Sequence, residues 1–130
     1  MPFSLHESLM PFDYEAEFIH LTLDNKIDVI IESALKKIKE QYPLRAGKYC
    51  IERRPGKKYL KLMCAEIQED GERLHNSVWC FIDTATGHVY KPASYKAPAK
   101  HVRYDLNQAE SFYAAARMAD WFGSWLYIKH

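Results

Sequence analysis

The chain is poor in the residues from which many catalytic and binding motifs are built. Its 130 residues include only five glycines, none clustered, which excludes a glycine-rich loop that cradles phosphates. Neither H-E-x-x-H nor G-x-S-x-G occurs, so the zinc-peptidase helix and the hydrolase nucleophile elbow are excluded too. Cys50, Cys64 and Cys80 are odd in number, widely spaced and without a C-x-x-C pair. That argues against a disulfide framework and fits a reducing cytosol; the three read as small, buried strand residues. No apolar run approaches the roughly 20 residues that a membrane-spanning helix needs. The first residues, MPFSLHESLMPFDYEAEF, lack a basic start, a long apolar stretch and a small-residue cleavage site, so no signal peptide is expected.

What is present describes a globular chain. Hydrophobic residues make up 48% and aromatics 14%, enough for one core at this length, so a single domain over 1–130 is expected. Residues 1–20 read as an N-terminal arm. In DNKIDVIIESALKKIKEQYP, Ile27, Ile30, Ile31, Ala34, Leu35, Ile38 and Tyr42 recur at three- and four-residue steps, which predicts a helix over 24–42. Asp24 or Asn25 is the expected cap, and Pro43 the stop. From 48 to 91 the pattern turns to strands: KYCIERR and KKYLKLMCAEI about a Pro55-Gly56 turn, then SVWCFID and HVYK about DTATG, where Gly87 supplies a positive φ. Residues 92–104 read as a basic loop. A second helix over 107–126 follows, with Asn107 and Glu110 as a capping box. The expected fold is α+β: an N-terminal helix, an antiparallel β-meander of three to four strands, and a C-terminal helix packed on the sheet.

The net charge of +1 conceals segregation. Residues 41–64 carry seven Lys or Arg against one acid, and residues 91–103 carry four against none. Residues 1–40, with four Lys against eight acids, and 65–90, with one Arg against five, offset them. The first basic block holds Arg45, Lys48, Arg53, Arg54, Lys57, Lys58 and Lys61; the second holds Lys91, Lys96, Lys100 and Arg103. If the two blocks share one side of a small sheet, interleaved Tyr49, Tyr59, Tyr90, Tyr95 and Tyr104 would complete a surface that grips phosphates and stacks bases.

Other chemistry is weakly supported. His75, Cys80 and His88 could meet across strands, but their spacing matches no ligand pattern. Asp83 is better explained as a turn former, Asp105 lacks an evident partner, and Glu69, Asp70 and Glu72 lie in an expected exposed turn. No catalytic residue, metal or cofactor is assigned, and the chain reads as non-enzymatic.

From Val78 onward, VWCFIDTATGHVYKPASYKAPAKHVRYDL resembles a family of small uncharacterised bacteriophage proteins, some from cyanophages. The shared positions are Phe81, Ile82, Asp83, Thr86, Gly87, Tyr90, Lys91, Ala93, Ser94, Tyr95, Lys96, Ala97, Pro98, Ala99, Lys100 and Arg103. The relatives often carry Trp where Tyr95 stands and Gly where Tyr104 stands. The resemblance covers about a quarter of the chain. It implies a phage origin and action in the cytoplasm of an infected bacterium, and carries over no functional residue.

Two functions follow as expectations. The first is nucleic-acid or anion binding centred on Tyr90, Lys91, Tyr95, Lys96, Lys100 and Arg103, supported by Arg53, Arg54, Lys57 and Lys58. The second is a protein-interaction module (a host-takeover factor, an inhibitor of a host protein or a virion component) with Trp121, Trp125 and Tyr127 as exposed anchors.

Overall fold

The computed structural model describes residues 18–44 and 48–127, without the side chain of Asn76. The expected N-terminal arm therefore lies almost wholly outside the described residues. The first long helix, α1, spans Leu23–Gln41. Its cap is Thr22, earlier than the sequence suggests: Thr22 Oγ1 accepts from the Asn25 amide at 3.1 Å, and Asn25 Oδ1 accepts from the Thr22 amide at 3.4 Å. Asn25 thus serves as the third helical residue of a reciprocal cap rather than as the cap itself. Ile27, Ile30, Ile31, Ala34 and Ile38 form the buried stripe. Lys26 is buried beside it, 6% exposed, with its ammonium 4.0 Å from the Phe18 ring centroid. Burial pushes its pKa down, and the ring face replaces part of the lost hydration.

The strands are β1 (Tyr49–Pro55), β2 (Tyr59–Ile67), β3 (Arg73–Asp83), β4 (His88–Tyr90) and β5 (Tyr104–Asp105). They form one antiparallel sheet in chain order. The fold is α+β with two main helices, but the sheet has five strands among the described residues, not three to four. The additional strand sits at the end of the expected basic loop. Ala93 and Ala99 amides bond to the carbonyls of Ala97 and Lys91 at 2.9 and 2.7 Å, folding the loop on itself. The Arg103 amide then reaches the Val89 carbonyl at 2.7 Å, and the Leu106 amide the Gly87 carbonyl at 2.9 Å. Gly87 is required at that turn: its φ is +78°, and a Cβ there would lie 2.9 Å from Asn107 Nδ2.

Register decides which side chains are covered. Leu60, Leu62 and Cys64 of β2 lie beside Ile82, Cys80 and Ser77 of β3. The apolar members of this set join Val89, Leu106 and the α1 stripe in the core. Two bulges interrupt β3: Leu62 pairs with Cys80 but Met63 with Val78, and Cys64 with Ser77 but Ala65 with His75. Trp79 and Asn76 are the extra residues, and Trp79 is buried in the same core.

The second long helix, α2, spans Ala109–Met118. Its cap position is Gln108, which makes no side-chain cap bond. Asn107 is instead drawn to the hairpin, where its Nδ2 donates to the Thr86 carbonyl at 2.7 Å. The helix also ends well short of residue 126. Lys37 Nζ donates to the Arg117 and Ala119 carbonyls at 2.6 and 2.7 Å, and Trp79 Nε1 to the Asp120 carbonyl at 2.8 Å. Acceptors that would continue the helix are thus satisfied by other elements. The chain turns at Gly123, φ +85°, into a 3-10 turn over Ser124–Leu126. The Asp120 carboxylate accepts from the Trp125 amide and the Ser124 hydroxyl at 3.0 and 2.9 Å. Ser33 Oγ ties α1 to the Ala116 carbonyl at 2.6 Å. No helix among the described residues is long and apolar enough to cross a membrane.

Lys37 therefore closes the end of α2 from α1. Lys37→Met is expected to cost about 1–3 kcal/mol, because the bonds involve a charged donor and their loss strands two carbonyls. Lys39→Met, on the exposed side of α1, should stay within about 0.5 kcal/mol of wild type. Urea denaturation of both variants measures the contrast.

Candidate nucleic-acid interface

Both helices cover one face of the sheet, and strand alternation directs the remaining side chains to the other. On β2 these are Tyr59, Lys61 and Met63. Phe81 lies opposite Lys61, and Tyr90 opposite Phe81. Tyr59 meets Phe81 and Tyr90 edge-on, with ring centroids 5.9 and 5.8 Å away. Lys61 Nζ stands 3.6 Å from the centroid of the Tyr95 ring, and Lys58 Nζ stands 5.3 Å from that of Tyr59. Lys61 belongs to the first basic block and Tyr95 to the second segment, so the two meet on this face.

The loop that delivers Tyr95 is locally held. Pro92 and Pro98 face each other across an isolated antiparallel bridge. Ser94 Oγ accepts from the Lys96 and Ala97 amides, both at 3.2 Å. The Ser94 hydroxyl is the acceptor that organises the tip, and the prolines, whose rings fix φ, stiffen its flanks. Tyr95, 55% exposed, and exposed Lys96 occupy that tip. Lys57, Lys58 and Lys100 are exposed as well.

Not every expected contact residue is placed here. Arg53 faces the helices with Ile51 and ion-pairs with Asp24, at 3.0 Å, and with Asp28; it is a strut between β1 and α1. Arg103 is spent on main-chain carbonyls: Nε donates to Leu126 at 2.7 Å, and Nη1 to Lys100 and His101 at 2.8 and 2.7 Å. Lys91 lies at the far side of β4, with Nζ 4.8 Å from the Tyr127 ring centroid. Lys61, absent from the expected centre, is the residue that joins the two segments on this face. The alternation in YLKLMC was the available signal, since it puts Tyr59 and Lys61 on the side opposite Leu60 and Leu62.

The expected aromatic anchors also separate. Trp125 is 5% exposed, which corrects its reading as an anchor. Its ring packs between those of Trp79 and Tyr104, at 4.9 and 5.2 Å. Trp121 is half-buried, with its ring centroid 4.6 Å from that of Tyr49. Tyr127 is 66% exposed.

Acids on the sheet's open face are mostly committed. Glu52 ion-pairs with Arg73 and with His75, the latter at 2.5 Å. The hydrogen bond from His75, followed by the charges of His75 and Arg73, holds the Glu52 carboxyl below its ordinary value. Arg54 Nη2 sits 3.0 Å from the same His75 Nε2. Arginine can only donate, so when Nε2 donates to Glu52, Arg54 gains no acceptor from it. Asp83 is buried and accepts from the Ala85 amide at 2.9 Å. Asp105 lies 3.5 Å from His88 Nε2. His75, Cys80 and His88 do not converge, because Cys80 points into the core. Among the described residues, no group of three His, Cys, Asp or Glu side chains is placed to hold a metal ion.

The chain can be compared with known proteins. Residues 13–128 match DUF7717, a family of unknown function. The chain belongs to this family. The match spans both helices, all five strands and the basic loop of this DUF7717 member. No curated protein and no solved structure matches it.

The Glu52 network sets a pH dependence. Its lowered folded-state pKa means that the stabilisation is present above the unfolded carboxyl value, about 4.3, and is lost as pH falls through the folded value. Urea midpoints of wild type and Glu52→Gln should therefore differ near pH 6 and draw together as the pH falls below about 4.3. A difference that persists undiminished in acid would assign the effect to packing instead.

Proposed function

We propose that this chain is a non-enzymatic accessory protein that binds nucleic acid through the helix-free face of its sheet. The observation that supports this most directly is the seating of Lys61 on Tyr95, which joins two sequence-distant basic segments into one basic, aromatic surface. Lys57, Lys58, Lys96 and Lys100 border it with exposed ammonium groups, and Tyr59, Tyr90 and Tyr95 supply the rings. Such a surface suits a single strand, because its bases are free to stack on side chains, and stacking adds about 1–3 kcal/mol per base. The ordered loop leaves little entropy to lose on binding. Arg53 and Arg103 act in this reading as supports rather than contacts. The resemblance of the Val78–Leu106 stretch to phage proteins suggests the cytoplasm of an infected bacterium as the setting.

Fluorescence anisotropy with dT12, U12 and a 12-base-pair duplex tests this. Contacts from four lysines, at about −0.7 in log–log slope per phosphate, give a slope near −3. That corresponds to roughly 50-fold weaker single-strand binding between 50 and 200 mM salt. Lys58→Glu with Lys96→Glu should weaken binding at least about tenfold, and Tyr95→Ala by about 1–3 kcal/mol. Lys39→Glu on α1 should leave affinity largely intact. Absence of binding to any of the three probes at low salt would end the proposal.

A further inference from the structure

We propose that the cleft between the unpaired half of β3 and the C-terminal segment docks a short extended peptide, which inserts one bulky apolar side chain beside an acidic residue. This site is separate from the basic platform and does not rest on the nucleic-acid reading. It begins with a mismatch in strand length. β2 pairs with β3 from Arg73 to Asp83, whereas β4 pairs only with Phe81, Ile82 and Asp83. Arg73–Cys80 therefore has no strand partner on its β4 side among the described residues. β4 stops because the chain runs into Lys91-Pro92, and Pro92 offers no amide to extend the ladder.

Next to this edge lies a cleft of about 210 Å³, lined in part by Ser77 and Val78 of β3 and by the segment 121–127. It exists because α2 stops at Met118, so the 3-10 turn rather than a helix covers that end of the sheet. Buried Cys64, Trp79 and Leu126 close its interior. Phe122 and Tyr127, 60% and 66% exposed, stand at its mouth. The Phe122 ring is also 5.5 Å from Trp121 and 6.4 Å from Tyr42, itself 42% exposed, so the exposed apolar surface runs on beyond the cleft. Contiguous exposed aromatic surface of this kind marks interaction sites.

The chemistry of the lining selects the occupant. The volume suits one side chain. Its polar side chains include the Ser77 hydroxyl and the Lys91 ammonium, and among the described residues no acid lines it. A nucleobase would bring more edge donors and acceptors than the Ser77 hydroxyl and the Lys91 ammonium can match, at a cost in desolvation. A Phe or Leu side chain brings none, and a neighbouring carboxylate complements Lys91. The peptide main chain has the β3 edge to bond with. The bulges that displace Trp79 and Asn76 break the edge into short runs, so pairing is limited to a few residues and the pocketed side chain carries the affinity. Covalent capture is not part of this site: the Cys64 thiol donates to the Trp121 carbonyl at 3.4 Å, and burial raises its pKa to about 12.

The test is selection of a random 12-residue peptide library against the full chain, then anisotropy with the enriched peptides. Enriched sequences are expected to place Phe, Leu or Trp within two positions of Asp or Glu. Ser77→Trp, which fills the cleft, and Lys91→Glu should each weaken binding at least tenfold, whereas Lys58→Glu on the platform should not. Phe122→Ser, at an exposed position, should also weaken binding at least tenfold and stands in if Ser77→Trp unfolds the chain. No enrichment, enrichment without this pattern, or binding indifferent to the cleft substitutions would overturn the proposal. So would displacement of the peptides by dT12 with Ser77→Trp weakening dT12, which would assign the cleft to nucleic acid. Self-association abolished by Ser77→Trp would assign it to a second copy of the chain. Loss of dT12 binding in Lys58→Glu bears on the platform alone.

Discussion

Burial of Leu60, Leu62, Cys80, Ile82 and Val89 beneath two helices determines what remains available on the other face of the sheet. The side-chain period along a strand is two, so a one-residue slip of β2 would exchange Leu60 and Leu62 for Tyr59 and Lys61. The apolar cost of that exchange, roughly 1.5–3 kcal/mol for each large side chain exposed, protects the register. The platform is thus specified indirectly. Tyr59 and Lys61 share a face because Leu60 and Leu62 must be buried on the other, and Phe81, itself only 3% exposed, packs beneath Tyr59 and Lys61.

Several cations serve the architecture instead of a partner. Arg53 connects β1 to α1 through Asp24 and Asp28. Arg103 gathers the carbonyls of Lys100, His101 and Leu126, holding the loop exit to the C-terminal turn. Lys37 caps α2 from α1, and Lys26 is buried under Phe18. At Arg103 the role needs geometry as well as charge, because one forked guanidinium reaches three carbonyls. A tally of basic residues cannot separate these cations from Lys58 or Lys96, which are exposed and differ only in where the fold leaves them.

The elements legible in the sequence were those specified locally. Ile27 to Ile38 repeat at helical steps over many residues, and Gly87 answers a conformational demand inside one turn. The misses were set from a distance. Tyr104–Asp105 is too short to display any period, and it becomes a strand because Val89 and Gly87 offer carbonyls to its neighbours. Residues 107–126 read as one helix, yet Lys37 and Trp79, both far away in the chain, take the carbonyls at its middle. Trp125 reads as an exposed anchor on that helix; because the helix ends at Met118, it turns inward between Trp79 and Tyr104. The platform was half legible, since the basic blocks and tyrosines were visible but the seating of Lys61 on Tyr95 depends on the meander bringing them together.

One loop borders both surfaces. Its tip presents Tyr95 to the platform, while Lys91 and Pro92 at its base line the cleft. Coupling between two sites requires an element with two arrangements that each ligand biases differently. The loop is instead closed by its own bonds, from Ser94 to the tip amides and from Ala99 to the Lys91 carbonyl. Arg103 anchors its exit to the C-terminal turn. A base and a tip held by separate sets of bonds would let the proposed platform and the proposed cleft be occupied independently, so the bonding favours two adjoining surfaces on one frame over a switch between them.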